Sequence, residues 1–217
     1  MKKASSMIEL VIAIVVMGIA MMTLPMMLTT VQNNNTFALR QESILLARTQ
    51  IGDIITYPWD EKSEDSSFNV AILDTNSTAY RRKPNSTRRI GHVKADKRRK
   101  FFTKETNATT SLGREGTDYN DIDDFDTKDL NLADATDVNA TLGYKLSTDL
   151  NISISVKYIS DINLTSIFDF NQTSTPVGTT NIKMIEVSLT NSQLDGNITL
   201  RAFSSNIGAN QLLRRTW

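Results

Sequence analysis

The chain has 217 residues, and its 24 Lys and Arg balance its 24 Asp and Glu, so the formal net charge is zero. A neutral chain of this length has room for one domain with an extra element, and it lacks the basic charge typical of nucleic-acid-binding proteins. It has no cysteine, which excludes disulfides and cysteine-ligated metal, and its one histidine, His92, lies in no GxSxG or HExxH motif. We therefore expect no enzymatic activity, no cofactor and no nucleic-acid partner.

The amino-terminal segment is apolar enough to cross a membrane. Residues 10–28 carry no charge, and about 20 apolar residues span a bilayer core as a helix. We predict a transmembrane helix over residues 5–30, kinked at Pro25. Lys2 and Lys3 precede it, so the positive-inside rule keeps them in the cytoplasm and exports the chain that follows. A secretory signal peptide fits less well, since its apolar core would have about 7–15 residues.

The same segment carries a recognisable processing pattern. A short basic leader followed by SSMIELVIAIVVMGIA resembles the class III signal of type IV pilins and type II secretion pseudopilins. The resemblance implies a leader of residues 1–4, which prepilin peptidase removes between Ala4 and Ser5 before methylating the new amino terminus of Ser5. The leader usually ends in Gly and the mature chain usually begins with Phe or Met, so both positions depart from the pattern.

Glu9 stands at the edge of the apolar run, where a carboxylate needs a partner. Counted from Ser5, it is the fifth residue of the mature chain, the position that carries glutamate in the pilin family. The resemblance implies that Glu9 pairs with the α-amine of Ser5 in a neighbouring subunit, which offsets desolvation and fixes the axial register. The alternative is a glutamate that reaches the lipid headgroups from the edge of the membrane.

A helical period continues past the membrane and predicts an amphipathic helix over residues 31–58, ended by Pro58. Its apolar stripe comprises Phe37, Ile44, Ala47, Ile51 and Ile54 or Ile55. We predict one continuous helix from about Ser6 to Tyr57, roughly 75–80 Å long at 1.5 Å per residue.

Residues 59–140 are polar, and we expect variable loops and short strands there. The span 81–100 holds ten Lys and Arg and the span 115–137 holds nine Asp and Glu, so the two blocks either neutralise each other or remain solvated. The acidic block offers oxygen ligands for calcium at Asp118, Asn120, Asp121, Asp123, Asp124 and Asp126. Because the EF-hand glycine and terminal glutamate are missing, we favour a structural acidic turn over a metal site.

Alternating apolar residues predict an antiparallel sheet in residues 141–217. The alternating positions are Ile152, Ile154, Val156 and Tyr158, then Ile185, Val187 and Leu189, then Ile198, Leu200 and Ala202; Leu142, Tyr144 and Leu146 indicate a further strand. Asp195-Gly196 is typical of a hairpin turn. The predicted fold is α+β, with a long amino-terminal helix, transmembrane and then amphipathic, packed on a carboxy-terminal antiparallel β-sheet.

Three later segments resemble one particular group within the pilin family. IGDIITYPWDE, TDYNDIDDFD and the pair IKMIEVSLT and GNITLRAF are similar to minor pilins of the MSHA type, close to its D component. The resemblance implies a minor pilin or pseudopilin that is held in the bacterial inner membrane and then joins or initiates a pilus or secretion pseudopilus. Its implied partners are sister pilins, prepilin peptidase and the inner-membrane assembly platform. The alternative is a non-polymerising, single-pass periplasmic glycoprotein with a ligand-binding domain.

Nine N-x-S/T sequons occur, and seven have Asp or Glu two residues before the asparagine, although acidic residues occupy only 24 of 217 positions. These seven are Asn76, Asn107, Asn139, Asn151, Asn163, Asn171 and Asn197. The pattern resembles the acceptor signal of a bacterial periplasmic oligosaccharyltransferase; the alternative is turn chemistry, which Asp and Asn both favour. We expect glycans first at Asn76, Asn107 and Asn139, because those positions fall in the predicted loops.

Overall fold

The computed structural model describes residues 2–63, 71–77, 81–83, 85, 106–131, 150–161, 178–194 and 196–208. A long helix, α1 (Lys2–Ile54), precedes a four-stranded antiparallel sheet formed by β1 (Lys128–Asn131), β2 (Asn151–Ile159), β3 (Ile182–Thr190) and β4 (Ile198–Ser205). The strands neighbour one another in chain order, and α1 packs against β3 and β4. The predicted α+β fold is confirmed.

Helix α1 is continuous over 53 residues, which corresponds to about 80 Å, and it includes Pro25. Hydroxyl groups in its apolar part bond back to the helix: Thr29 and Thr30 both donate to the carbonyl of Met26, at 2.9 and 2.8 Å. This satisfies the hydroxyls without water, as a lipid environment requires. At the far end the Tyr57 N–H donates to the carbonyl of Ile54 at 3.1 Å, so the last turn tightens before the helix stops.

The face that α1 buries matches the predicted stripe only in part: Ala47 and Ile54 are buried and Ile51 is partly buried, as predicted. Its fully buried positions are Leu39, Ser43, Ala47 and Ile54, whereas Phe37, Ile44 and Ile55 are 62%, 48% and 47% exposed. Two of these buried positions, Ser43 and Ala47, carry small side chains. The Ser43 hydroxyl donates to the Leu39 carbonyl at 2.8 Å, so its burial leaves no unpaired donor. An apolar pattern could not identify a serine as a core residue.

The core lies between this helix face and the inner face of the sheet. Its inward positions in β2 and β3 alternate as predicted: Ile152, Ile154 and Val156 in the former, and Ile185, Val187 and Leu189 in the latter. Fully burying each such side chain contributes about 1.5–3 kcal/mol relative to exposure. In β4, Ile198 and Leu200 are partly buried and pack against the same cluster.

The first strand of the sheet comes from the polar region. β1 pairs with β2 in the register Lys128 with Ile154 and Asn131 with Asn151. The strand predicted around residues 142–146 lies outside the described residues. Between β3 and β4, Gly196 adopts a φ of +92°, a conformation that glycine adopts without steric cost; its neighbour Asp195 also lies outside the described residues.

Candidate functional site

The first half of α1 presents an apolar surface on every side. Between Met7 and Val31 the large apolar side chains are 54–83% exposed, and none of the most apolar 18-residue window is buried by the rest of the chain. Such a helix needs an apolar surrounding, either lipid or other helices. By length and composition, α1 is long and apolar enough to span a membrane.

Three residues of the processing pattern lie in the first turns of α1. Ala4 and Ser5 are helical, and the Glu9 side chain is exposed. Ser5 and Glu9 are four residues apart along the helix, which is about 6 Å along its axis.

A second apolar stripe lies further along α1, after Val31. Phe37, Ile44 and Ile55 fall within about 20° of one another around the helix at 100° per residue, whereas Leu45, which is 64% exposed, lies about 80–100° away from them. The buried residues Leu39, Ser43, Ala47 and Ile54 occupy a different side of the helix, and Ala47 and Ile54 belong to the core cluster shared with the sheet. The second half of α1 therefore has one apolar face that is buried and another that is exposed.

The end of α1 joins the sheet through a buried lysine. Lys183, in β3, has a fully buried side chain whose Nζ donates to the Trp59 carbonyl at 2.6 Å and forms an ion pair with Asp123. Asp60 lies 3.8 Å from the same Nζ, and the Trp59 ring centroid lies 4.4 Å from it. One ammonium therefore holds together the segment after α1, the acidic turn and the core face of the sheet.

The other hydrogen bonds of Asp60 connect this cluster to the segment that contains Thr109. Its Oδ2 accepts the Thr109 N–H at 2.8 Å, and its Oδ1 accepts the Lys62 N–H at 3.0 Å. The Tyr158 hydroxyl then donates to the Thr109 carbonyl at 2.6 Å. Burial first, and then the charges of Asp60 and Asp123, raise the pKa of Tyr158, so this phenol remains a neutral donor.

The acidic block folds into a turn that bonds its own backbone. Asp121 Oδ1 accepts the N–H groups of Asp123 and Asp124, and its Oδ2 accepts the Glu61 N–H at 2.6 Å. Asp124 Oδ2 in turn accepts the N–H groups of Asn120 and Asp121. Aspartate side chains commonly accept hydrogen bonds from nearby backbone N–H groups in turns. Here these bonds orient the Asp123 carboxyl toward Lys183.

Asp123 has an unusual electrostatic setting. Its Oδ2 is buried and has no hydrogen-bond partner among the described residues. The pKa of Asp123 is raised to about 7, chiefly by burial and further by the charges of Asp121 and Asp60, against the lowering effect of Lys183. Burial likewise raises the pKa of Asp121. Buried carboxylates outnumber the ammonium that neutralises them, so Asp123 retains a proton more readily than an exposed Asp would.

Within the described residues, which include all the calcium candidates, no group of three or more His, Cys, Asp or Glu is arranged to hold a metal ion. Asp121 and Asp124 use their oxygens on backbone donors, Asp126 Oδ1 accepts the Val156 N–H at 2.8 Å, and Asp118 is exposed. The cation beside Asp123 is Lys183. Most of the basic stretch 81–100 lies outside the described residues; within it, Arg82 pairs with Asp74 at 3.2 Å.

Four of the seven sequon asparagines are described, namely Asn76, Asn107, Asn151 and Asn197, and all four are exposed; Asn139, Asn163 and Asn171 lie outside the described residues. Asn76 is engaged locally, since its Oδ1 accepts the Thr179 hydroxyl at 3.3 Å. Asn107 forms an isolated parallel β-bridge with Asp74. Exposure alone therefore does not separate the loop sequons from the strand sequons.

Comparison with known proteins finds no matching family model, no matching curated protein and no matching solved structure. The buried lysine cluster was missed at the sequence level, although a signal for it exists. In IKMIEVSLT, Lys183 shares the alternating positions of Ile185, Val187 and Leu189, so a period of two already places this lysine on the core face.

Proposed function

We propose that this chain is a minor subunit of the type IV pilin or pseudopilin kind, which prepilin peptidase processes and which joins or initiates a pilus or secretion pseudopilus. Glu9 carries the proposal, because it lies at the start of an uncharged helical run and one turn after the proposed new amino terminus, Ser5. A mature amine and a carboxylate about one turn apart allow each subunit to offer one charge to its neighbour. The pairing would fix the axial register of stacked helices.

The surface of α1 supports the same proposal. The helix carries no charge over residues 10–28 and exposes apolar side chains on all sides there, and the exposed stripe of Phe37, Ile44 and Ile55 continues the apolar surface further along the helix. A purely lipid-facing anchor has no use for apolar residues beyond the bilayer. Contact with neighbouring helices would cover both parts at once, as a fibre core requires.

The partners and location follow from the same assignment. The subunit waits in the bacterial inner membrane with Lys2 and Lys3 in the cytoplasm and the sheet exported. It meets prepilin peptidase, the assembly platform and sister pilins or pseudopilins. The second candidate is a non-polymerising membrane-anchored glycoprotein with a ligand-binding domain, which the acidic sequons favour and which would retain an uncut amino terminus.

Mass spectrometry of the mature amino terminus from cells with an intact prepilin peptidase tests the assignment. We expect the amino-terminal peptide to begin at Ser5, carry one methyl group on its amine, and revert to an uncut form when the peptidase is deleted. A mature chain that begins at Met1, or after residue 25, contradicts the proposal and favours the second candidate.

Replacing Glu9 tests the assembly mechanism. Glu9→Gln removes the charge but keeps the shape, so we expect normal membrane insertion and a strong loss from sheared fibres. Ile8→Gln is the matched control, because it places the same amide one residue earlier and leaves Glu9 intact. Equal incorporation of the Glu9→Gln variant and the unaltered chain would argue against a register role.

A further inference from the structure

The outer face of the sheet carries two sequons in identical register. β2 and β4 flank β3 and run in the same direction, since each is antiparallel to it. Ser188 of β3 pairs with Ser153 on one side and with Thr199 on the other, so the two sequon hydroxyls lie in one row across the sheet. Asn151 and Asn197 lie two residues before those hydroxyls, hence in one row as well and about 10 Å apart, two strand spacings.

The asparagine and the hydroxyl residue of both sequons are exposed. Asn151, Ser153, Asn197 and Thr199 are exposed, and the Thr199 hydroxyl lies 3.0 Å from that of Ser188 at the surface. Alternation along a strand sends the intervening isoleucine to the opposite face, toward the core. The asparagine amide and the hydroxyl of each N-x-S/T motif are therefore presented together.

The sequon at Asn107 has the opposite arrangement. Its asparagine is exposed, but its hydroxyl residue, Thr109, is 8% exposed. Thr109 donates from its backbone N–H to Asp60 Oδ2 at 2.8 Å and from its hydroxyl to Asp60 Oδ1 at 3.3 Å. A transferase that recognises the hydroxyl two residues after the asparagine would have to break the Asp60 bonds first.

The two sheet sequons differ in how firmly their backbones are held. Asn151 is paired on both sides, with Asn131 of β1 and Thr190 of β3. Asn197 precedes β4, which pairs only with β3 in the described sheet, and it follows Gly196. A Cβ placed on Gly196 would meet no atom within 4 Å, so the space around this approach to Asn197 is open.

We propose that Asn197 is the N-glycosylation acceptor of the folded chain and that Asn107 is closed to the transferase once Thr109 is buried against Asp60. This goes beyond the assembly function and does not depend on it. The donor is an oligosaccharide linked to a lipid diphosphate. A bond forms between Asn197 Nδ2 and sugar C1 as the bond from C1 to the phosphate oxygen breaks. That oxygen keeps the electron pair, the lipid diphosphate leaves, and one Nδ2 proton passes to a base.

The test compares the folded chain with peptides. The full chain, purified in detergent from a host without a transferase, is incubated with a periplasmic oligosaccharyltransferase and a lipid-diphosphate-linked oligosaccharide of known mass. Peptides covering residues 102–112 and 192–202 are treated in parallel, and site occupancy is read by mass spectrometry. We expect both peptides to be modified. In the folded chain only locally opened molecules expose Thr109, so occupancy at Asn107 should fall below that at Asn197 by about tenfold or more.

Variants of Thr199 test whether modification of Asn197 depends on the hydroxyl group of its sequon. Thr199→Ser keeps the motif and should retain glycan at Asn197, whereas Thr199→Val keeps the strand shape but loses the hydroxyl and should lose the glycan. Near-ultraviolet circular dichroism checks that both variants remain folded. The proposal is overturned if neither peptide is modified, if Asn197 stays empty in the folded chain, or if Asn107 is modified there as fully as Asn197.

Discussion

Lys183 Nζ donates a 2.6 Å hydrogen bond to the backbone carbonyl of Trp59, and so links the core face of β3 to the segment that leaves the long helix. The Trp59 indole N–H in turn donates to the Ser204 carbonyl in β4 at 3.3 Å. The indole ring also packs against the ammonium and against Tyr158. The helix end is therefore fastened to two strands by polar contacts, in addition to the apolar core.

Lys183→Met should strongly destabilise the chain at neutral pH. Methionine fills a similar volume but leaves the carboxylates of Asp60 and Asp123 buried without their cation. Removing one partner of a buried ion pair costs about 3–5 kcal/mol. We expect a loss of that size in the free energy of unfolding, measured by urea denaturation in detergent and followed by near-ultraviolet circular dichroism.

Lys62→Met is the matched control for that variant. The Lys62 side chain is 45% exposed and its nearest carboxylate oxygen, on Glu61, lies 3.8 Å away. Exposed pairs of this kind contribute about 0.2–1 kcal/mol. A comparable loss for both variants would mean that the buried cluster has no special role.

The free energy of unfolding should decrease as pH rises from about 4 to about 7, because Asp123 loses its proton over this range. Its pKa in the folded chain is raised from 3.8 to about 7, mainly by burial, so the folded state holds a proton that the unfolded state has released. Stability from this group is complete below the unfolded pKa and is lost as pH rises through the folded pKa. Asp123→Asn removes the titrating group, and urea midpoints measured from pH 4 to 8 should lose most of this slope.

If the Asp123→Asn variant retains the full dependence of stability on pH, another group is responsible. Asp121 is the next residue to replace, because burial also raises its pKa. The Asp121 carboxylate accepts three backbone N–H groups, so Asp121→Asn would also disturb the turn itself. Replacing Asp123 is therefore the more specific test, because it changes the titrating group without removing these backbone hydrogen bonds.

Helix α1 and strands β2, β3 and β4 were predictable because their residues repeat with simple periods, whereas β1 lies in the polar region and has no such pattern. The inward residues of β2 and β3 alternate without interruption, and α1 has no strong helix breaker apart from Pro25. The buried face of α1 was not predictable, because Ser43 reads as polar and gains its place only through a bond to the Leu39 carbonyl. The lysine cluster joins Asp60, Asp123 and Lys183 across distant parts of the chain, and only the folded geometry brings those charges together.

Gly178→Ala should destabilise the loop before β3. Gly178 has a φ of +95°, and a Cβ there would lie 2.7 Å from Asn76 Nδ2. Moving Asn76 away would break its bond to the Thr179 hydroxyl, a net loss of about 0.5–1.5 kcal/mol. Gly113→Ala is the control, since its φ is +113° but nothing lies within 4 Å of the added Cβ. We expect the Gly178 variant to unfold at lower urea concentration than the Gly113 variant; equal midpoints would show that backbone strain alone matters.

Replacing the exposed stripe of α1 should separate assembly from folding. Phe37→Ser and Ile44→Ser alter side chains that are 62% and 48% exposed, and surface changes of this kind usually shift stability by about 0.5 kcal/mol or less. If the stripe contacts neighbouring helices, as the proposed function requires, the double variant should unfold normally yet be depleted from sheared fibres. Leu39→Ser is the control for a folding defect, because Leu39 is 1% exposed and its replacement should lower the free energy of unfolding. Full incorporation of the double variant would leave the stripe without a role in assembly.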